Sequence, residues 1–302
     1  MDAQGTISSS RVPAAAPFLA GSAATGVALL FPGQGSQTSG MRELVAEHRP
    51  DLLAAALEHC GADPFQRIDD GTSFAQPAMF AASMAAWERA GRPGAAAVAG
   101  HSLGELAALA VAGSIDTEVG LLIAVQRGRI MQRAAEESPP GGMLAILGDE
   151  PEAMLIAREF GLTIANHNAR GQLVLSGPLA QLEAARQVAR ARKMKAMKLP
   201  IAGAFHSPAM RDAVPAFREV LAGIEFAAPA TPVYSCTTAK PFSDFRATLA
   251  EALVRPVRWT ETLEALRRAG AETFVEPGPG KVLTGLVKRT LPSVRAIALE
   301  AH

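Results

Sequence analysis

Ala96-Ala97-Val98-Ala99-Gly100 runs directly into His101-Ser102-Leu103-Gly104-Glu105, and an Ala/Leu-rich stretch follows to Ala112. A short apolar run bounded by glycine reads as a strand buried on both faces, and the spacing after it is helical. Gly100, Ser102 and Gly104 fit G-x-S-x-G, a sharp strand-to-helix bend that lifts a serine hydroxyl out of the fold at a helix N-terminus. Unpaired backbone N–H groups there suit a developing oxyanion. These five residues alone fit a tight turn with a capping serine equally well.

The same alternation extends outward. Val27–Phe31 is an apolar run stopped by Pro32-Gly33. Helical patterns cover Met41–Cys60, Gln76–Ala90 and Thr117–Ala135, and the last breaks at Pro139-Pro140-Gly141-Gly142. Strands alternating with helices predict a parallel sheet covered on both faces. The pattern then changes. Met143–Leu147 reads as a strand, Glu150–Phe160 as a helix, and Leu162–Ala165 and Gln172–Leu175 as two strands around an Asn/Gly-rich turn. Leu179–Arg192 reads as a helix and Met194–Leu199 as a last strand. That βαββαβ order is ferredoxin-like. The expected α/β architecture is therefore a large hydrolase-like domain, residues 26–140 and 201–302, with a short parallel sheet flanked by helices. A small ferredoxin-like subdomain at 141–200 is inserted in it, and Thr231–Ser235 and Thr273–Glu276 are further strands of the large domain.

Composition narrows the function. The chain has 302 residues, 49% of them hydrophobic, enough for a substantial core. Its 29 basic and 29 acidic residues balance, which argues against a nucleic-acid binder. Cys60 and Cys236 match no metal or redox spacing, so a reduced, cytoplasmic setting without a metal is expected. No apolar run approaches the roughly 20 residues that cross a bilayer. Residues 1–25 lack the basic start and compact apolar stretch of a secretory signal and read as a disordered extension or tag remnant.

A serine needs a base. Among six histidines, His101 adjoins Ser102 and points elsewhere in such a bend, and His48, His59 and His302 have no chemistry around them. His167 lies between Asn166 and Asn168 and fits a turn. His206, in Ala204-Phe205-His206-Ser207-Pro208, stands where the chain leaves the subdomain. No acid is placed to orient it. A backbone or amide carbonyl on one ring nitrogen leaves Nε2 for Ser102. A lone histidine is more often a structural hydrogen-bonder.

Seven blocks, in order across residues 27–291, resemble the malonyl-CoA:acyl carrier protein transacylases and the acyltransferase domains of polyketide synthases. They are Phe31-Pro32-Gly33-Gln34-Gly35-Ser36-Gln37, Ala75-Gln76-Pro77-Ala78, Gly100–Glu105, Gln126-Arg127-Gly128 with Met131, Asn166-His167-Asn168 with Gly171-Gln172, Ala204–Pro208, and Gly278-Pro279-Gly280-Lys281-Val282-Leu283. The resemblance implies Ser102 as nucleophile, His206 as base and later acid, and the amides of Gln34 and Leu103 as the oxyanion hole. It implies that Arg127 binds the malonyl carboxylate, and that a main-chain carbonyl near Ala252, before Pro256-Val257-Arg258-Trp259, orients the histidine. In the polyketide branch a Phe before the histidine goes with malonyl and a Ser with methylmalonyl, so Phe205 implies malonyl. Gly203 departs from the His often found there.

The implied partners are malonyl-CoA and a phosphopantetheinylated acyl carrier protein, acting on a monomer without cofactor. The motif Gly278–Lys281 reads as a turn capping the final helix, and Arg190, Arg192, Lys193, Lys195 and Lys198 read as a carrier-docking patch or a solvated face. Three alternatives remain. An editing thioesterase shares Ser102 and His206 but has no use for Arg127. The recipient can instead be the carrier of a malonate decarboxylase or a polyketide synthase. A silent carrier-binding scaffold needs no intact dyad.

Overall fold

The computed structural model describes residues 25–299, so 1–24 of the expected N-terminal extension lie outside the described residues. The first segment contains β1 (Val27–Phe31), α1 (Met41–His48), α2 (Pro50–Cys60), α3 (Thr72–Arg89), β2 (Ala97–Gly100), α4 (Gly104–Val111) and α5 (Thr117–Glu137). The second contains β3 (Gly141–Leu147), α6 (Glu150–Glu159), β4 (Thr163–Ala169), β5 (Gln172–Pro178), α7 (Leu179–Ala191) and β6 (Lys195–Lys198). The third contains α8 (Ala213–Ala222), β7 (Val233–Ser235), β8 (Lys240–Pro241), α9 (Phe245–Glu251), α10 (Trp259–Arg268), β9 (Thr273–Pro277), α11 (Val282–Thr290) and β10 (Arg295–Leu299).

Two sheets organise the chain. A six-stranded sheet has the order β10-β9-β1-β2-β7-β8. It is parallel except for β8, which runs against β7. Side chains on its central strands alternate between two cores. Leu29 and Phe31 face the cluster built on α3, whereas Ala28 and Leu30 face Trp259, Phe274 and Leu283. α3 is buried on nearly every face from Thr72 to Ala86, as expected of a helix apolar all round that lies at the centre of a domain.

The second sheet is antiparallel, in the ferredoxin-like order β4-β5-β3-β6. Leu144, Ile146, Leu173 and Leu175 turn to its own helices, and Met143, Ala145 and Val174 turn to the large core.

Two sequence expectations need correction. Met41–Cys60 is two helices, because Pro50 has no N–H to continue the first and is well accommodated as the first residue of the second. The Asn/Gly-rich turn is also shorter than its composition suggests. Asn166, His167 and Asn168 belong to β4, which runs to Ala169, and the reversal falls at Arg170-Gly171. β4 has register irregularities at Ile164/Asn166 and His167/Ala169. Its outer edge is tied to the large sheet's side of the molecule: His167 N donates to Val257 O at 2.8 Å, and Val257 N to Ala165 O at 2.8 Å.

Candidate active site

Ser102 occupies the bend between β2 and α4 with φ 51°, a left-handed conformation uncommon for a residue with a side chain. Two glycines make the bend feasible. A Cβ on Gly100 would sit 1.9 Å from Gly104 C, and one on Gly104 would sit 2.1 Å from Phe31 O. The Ser102 N–H points to Cys236 Sγ at 3.3 Å. Cys236 is fixed in turn by Glu105, whose Oε1 accepts from Cys236 N at 2.7 Å and from the Ser235 hydroxyl at 2.8 Å. Glu105 is 1% exposed, and burial pushes its carboxyl above the ordinary range. Composition alone gives no sign of this clamp, because its partners are more than a hundred residues apart.

His206 lies 104 residues from Ser102 in the chain, yet its Nε2 is 2.9 Å from the serine Oγ. Its Nδ1 is 2.8 Å from the carbonyl of Ala252 and 3.1 Å from that of Arg255, at the end of α9. Two carbonyls can only accept, so Nδ1 carries the proton and Nε2 is the bare lone pair facing the serine hydroxyl. Burial, then the Arg127 charge, then His101, hold the imidazole down to about 3, so it is neutral at ordinary pH.

Arg127, on α5, is 4% exposed. Its Nη1 donates to Gln76 Oε1 at 2.8 Å and its Nη2 to Ser102 Oγ at 3.1 Å. Burial lowers the guanidinium to about 10, which still leaves it charged at neutral pH. No carboxylate touches it among the described residues. The charge is satisfied only by neutral oxygens, an arrangement suited to an incoming anion.

These groups open onto one cavity of about 220 Å³, which Gln34, Leu103 and Phe205 also line. Neither the Gln34 nor the Leu103 amide donates to a protein acceptor among the described residues. Phe205 is 6% exposed, and its ring occupies the space a Cβ on residue 203 would need, 2.6 Å away. The glycine at 203 thus has a physical role beside Phe205. Met143, Ala145 and Val174 of the small sheet close the far wall.

The remaining candidates fall elsewhere. His101 turns its ring from the hydroxyl, with Nε2 2.8 Å from Asn168 Oδ1, and burial lowers its pKa. Asn168 therefore braces the bend against β4, a role the turn reading missed. His167 sits 3.1 Å from Glu150. The Gly278–Lys281 turn leads into α11 with Lys281 at its N-cap position, but no side chain of the turn bonds the amides of the helix. The buried carboxylate of Glu276 does, accepting from Leu283 N at 3.0 Å and Thr284 N at 2.6 Å. Of the basic patch, Arg190 donates to Ala196 O and Arg192 pairs with Glu152, while Lys193, Lys195 and Lys198 are exposed. Among the described residues no cluster of three His, Cys, Asp or Glu side chains converges on one point, and no helix is long and apolar enough to cross a membrane.

A serine and an imidazole in hydrogen-bond contact on a strand-to-helix bend, with a buried cation beside them, are the parts that covalent acyl transfer calls for. Residues 28–301 match the family described as "Acyl transferase domain", and the chain belongs to that family. It is 39% identical over 285 residues to "Polyketide biosynthesis protein ThaF" of Burkholderia thailandensis, covering 88% of this chain and 24% of that protein. It is 36% identical over 298 residues to the malonyl CoA-acyl carrier protein transacylase of Salmonella typhimurium, covering 91% and 96%. Among solved structures, the malonyl-CoA:acyl carrier protein transacylase of Xanthomonas oryzae pv. oryzae superposes with a TM-score of 0.84 at 35% identity, covering 92% of this chain and 95% of that one. The chain thus spans about a quarter of the ThaF protein and nearly all of the Salmonella transacylase.

Proposed function

We infer that the protein transfers malonyl from malonyl-CoA to the phosphopantetheine thiol of an acyl carrier protein through a malonyl-Ser102 ester. The observation that carries this reading is the triangle of Ser102, His206 and Arg127, whose reacting atoms lie within 3.1 Å of the serine oxygen.

The malonyl carboxylate takes two charge-assisted bonds from Arg127 and displaces its Nη2 from the serine. His206 Nε2 accepts the serine proton while Ser102 Oγ attacks the thioester carbon. The oxyanion is held by the amides of Gln34 and Leu103. The C–S bond breaks, and His206 returns the proton to the departing CoA sulfur. In the second half the carrier thiol gives its proton to His206, its sulfur attacks the ester carbon, and the Ser102 C–O bond breaks with the proton returning to the serine. The carbonyls of Ala252 and Arg255 hold the tautomer throughout, and Phe205 fills the space an α-methyl needs.

The two separate sheets support the division into a large domain of residues 26–140 and 201–302 around an inserted 141–200 unit. Transfer to a polyketide carrier is a second reading of the recipient, favoured by the 39% identity to ThaF. The isolated arginine weighs against an editing thioesterase, since a plain acyl chain leaves it unpaired.

Intact-protein mass spectrometry with malonyl-, methylmalonyl- and acetyl-CoA tests the reading. Malonyl-enzyme should accumulate in wild type and be absent from Ser102→Ala. Persistence of the adduct in the variant, or hydrolysis outrunning transfer to a carrier, would overturn it.

A further inference from the structure

The guanidinium of Arg127 and the loop that carries the Gln34 amide are joined by one hydrogen-bonded chain, buried at its Arg127 end. Arg127 Nη1 donates to Gln76 Oε1 at 2.8 Å, Gln76 Nε2 donates to Thr72 Oγ1 at 2.8 Å, and the Thr72 hydroxyl donates to Gln34 Oε1 at 2.7 Å. Thr72 and Gln76 sit one turn apart on α3 and are 4% and 1% exposed, so water does not reach the link between them, while the Thr72–Gln34 bond is part-buried.

The cation fixes the polarity of the first two links. A guanidinium can only donate, so the Gln76 oxygen must face it and the Gln76 nitrogen must face Thr72. The Thr72 hydroxyl, which accepts from Gln76, keeps its proton for Gln34 Oε1. The fixed positive charge thereby orients Gln76 toward Thr72, and such chains strengthen cooperatively in a low-dielectric interior. Gln34 otherwise lies in a loop between β1 and α1, next to Gly35 at φ 100° and half-buried. Its amide needs an anchor that local backbone structure does not provide.

We propose that Thr72 is a positioning residue that, through the Gln34 side chain, sets the oxyanion amide at a fixed distance from the cation. The inference rests on the acyl-transfer reading and deepens it. An acid-tailed thioester gripped at one end by Arg127 then has its carbonyl delivered to a donor already registered against that grip. Since the amide serves every thioester, loss of the anchor affects donors with and without a carboxylate alike. Loss of Arg127 falls mainly on the former, because Thr72 and Gln34 keep their own bond.

The test is single-turnover acylation of Ser102 followed by mass spectrometry, with malonyl-CoA and acetyl-CoA, for wild type, Thr72→Val, Thr72→Ser and Gln34→Ala. Valine keeps the shape and removes the hydroxyl. Alanine at 34 removes the anchor and keeps the amide. Thr72→Val and Gln34→Ala should each slow acylation by both donors roughly tenfold, a fraction of what losing an oxyanion donor outright costs, with little change in KM. Thr72→Ser should restore the rate, and the double variant Thr72→Val/Gln34→Ala should be no slower than either single one. The proposal is overturned by wild-type rates in Thr72→Val, by a loss confined to malonyl through KM, by failure of serine to rescue, or by additive losses in the double variant. If Thr72→Val does not fold, the rate of Gln34→Ala decides alone. Absence of an acyl-serine in wild type would defeat the acyl-transfer reading itself, before any variant is compared.

Discussion

Replacing Arg127 by alanine separates substrate recognition from the covalent chemistry. In the free protein the guanidinium lies 4% exposed with no carboxylate partner, and burial draws its pKa from 12.5 to about 10. Holding that charge unpaired therefore costs roughly 3 kcal/mol. A bound malonyl carboxylate offsets this and adds two charge-assisted hydrogen bonds, so malonyl transfer depends on the residue by about 3–5 kcal/mol. That corresponds to a fall in kcat/KM of roughly a hundredfold to several-thousandfold. Acetyl-CoA has no anion to present and leaves the cation buried without its partner. Its kcat/KM should hold steady or rise in Arg127→Ala. The assay is kcat/KM for both donors with a common carrier, alongside thermal melting of each variant. Equal losses for the two donors would refute the argument and make Arg127 a support of the fold, since it also anchors Gln76.

Two further predictions concern acidity and fit. His206 is held to about 3, so kcat/KM of the wild type should stay flat as pH falls from about 8 to about 5, with no limb near 6.5; Arg127→Ala removes a repelling charge and should move the acid limb upward. The same depression makes the histidine's stability contribution complete above 6.5 and lost as pH falls from there toward 3, so His206→Gln should melt with a shallower pH dependence over that window than wild type. Phe205→Ser should raise the methylmalonyl-to-malonyl ratio by about tenfold or more, one methyl being worth roughly 1–3 kcal/mol, and lower the melting temperature by emptying a buried site. An unchanged ratio would remove Phe205 from acyl selection.

The large sheet and the ferredoxin-like insert were legible because strands buried on both faces are short apolar runs, and Val27–Phe31 and Ala97–Gly100 are of that kind. β10 escaped notice, being a half-exposed edge strand with little periodicity. The periodicity of Leu44, Val45, Leu52 and Ala56 runs through Pro50 and hides the break there. Asn166 and Asn168 mislead because turn-forming residues at strand irregularities look the same in sequence as turns. At the site, the serine bend is local and readable. The approach of His206 to Ser102 across 104 residues was one reading of the six histidines that the family resemblance made specific, and the Glu105–Cys236 clamp and the Thr72 link arise in three dimensions alone.

The reacting groups and the wall opposite them belong to different sheets. Ser102, His206 and Arg127 are carried by segments built around the six-stranded sheet, while Met143, Ala145 and Val174 project from the four-stranded one. The shape offered to an acyl chain is thereby separable from the apparatus that breaks its bond. Substitutions at those three positions can widen or narrow the compartment while the proton path from serine to imidazole keeps its geometry.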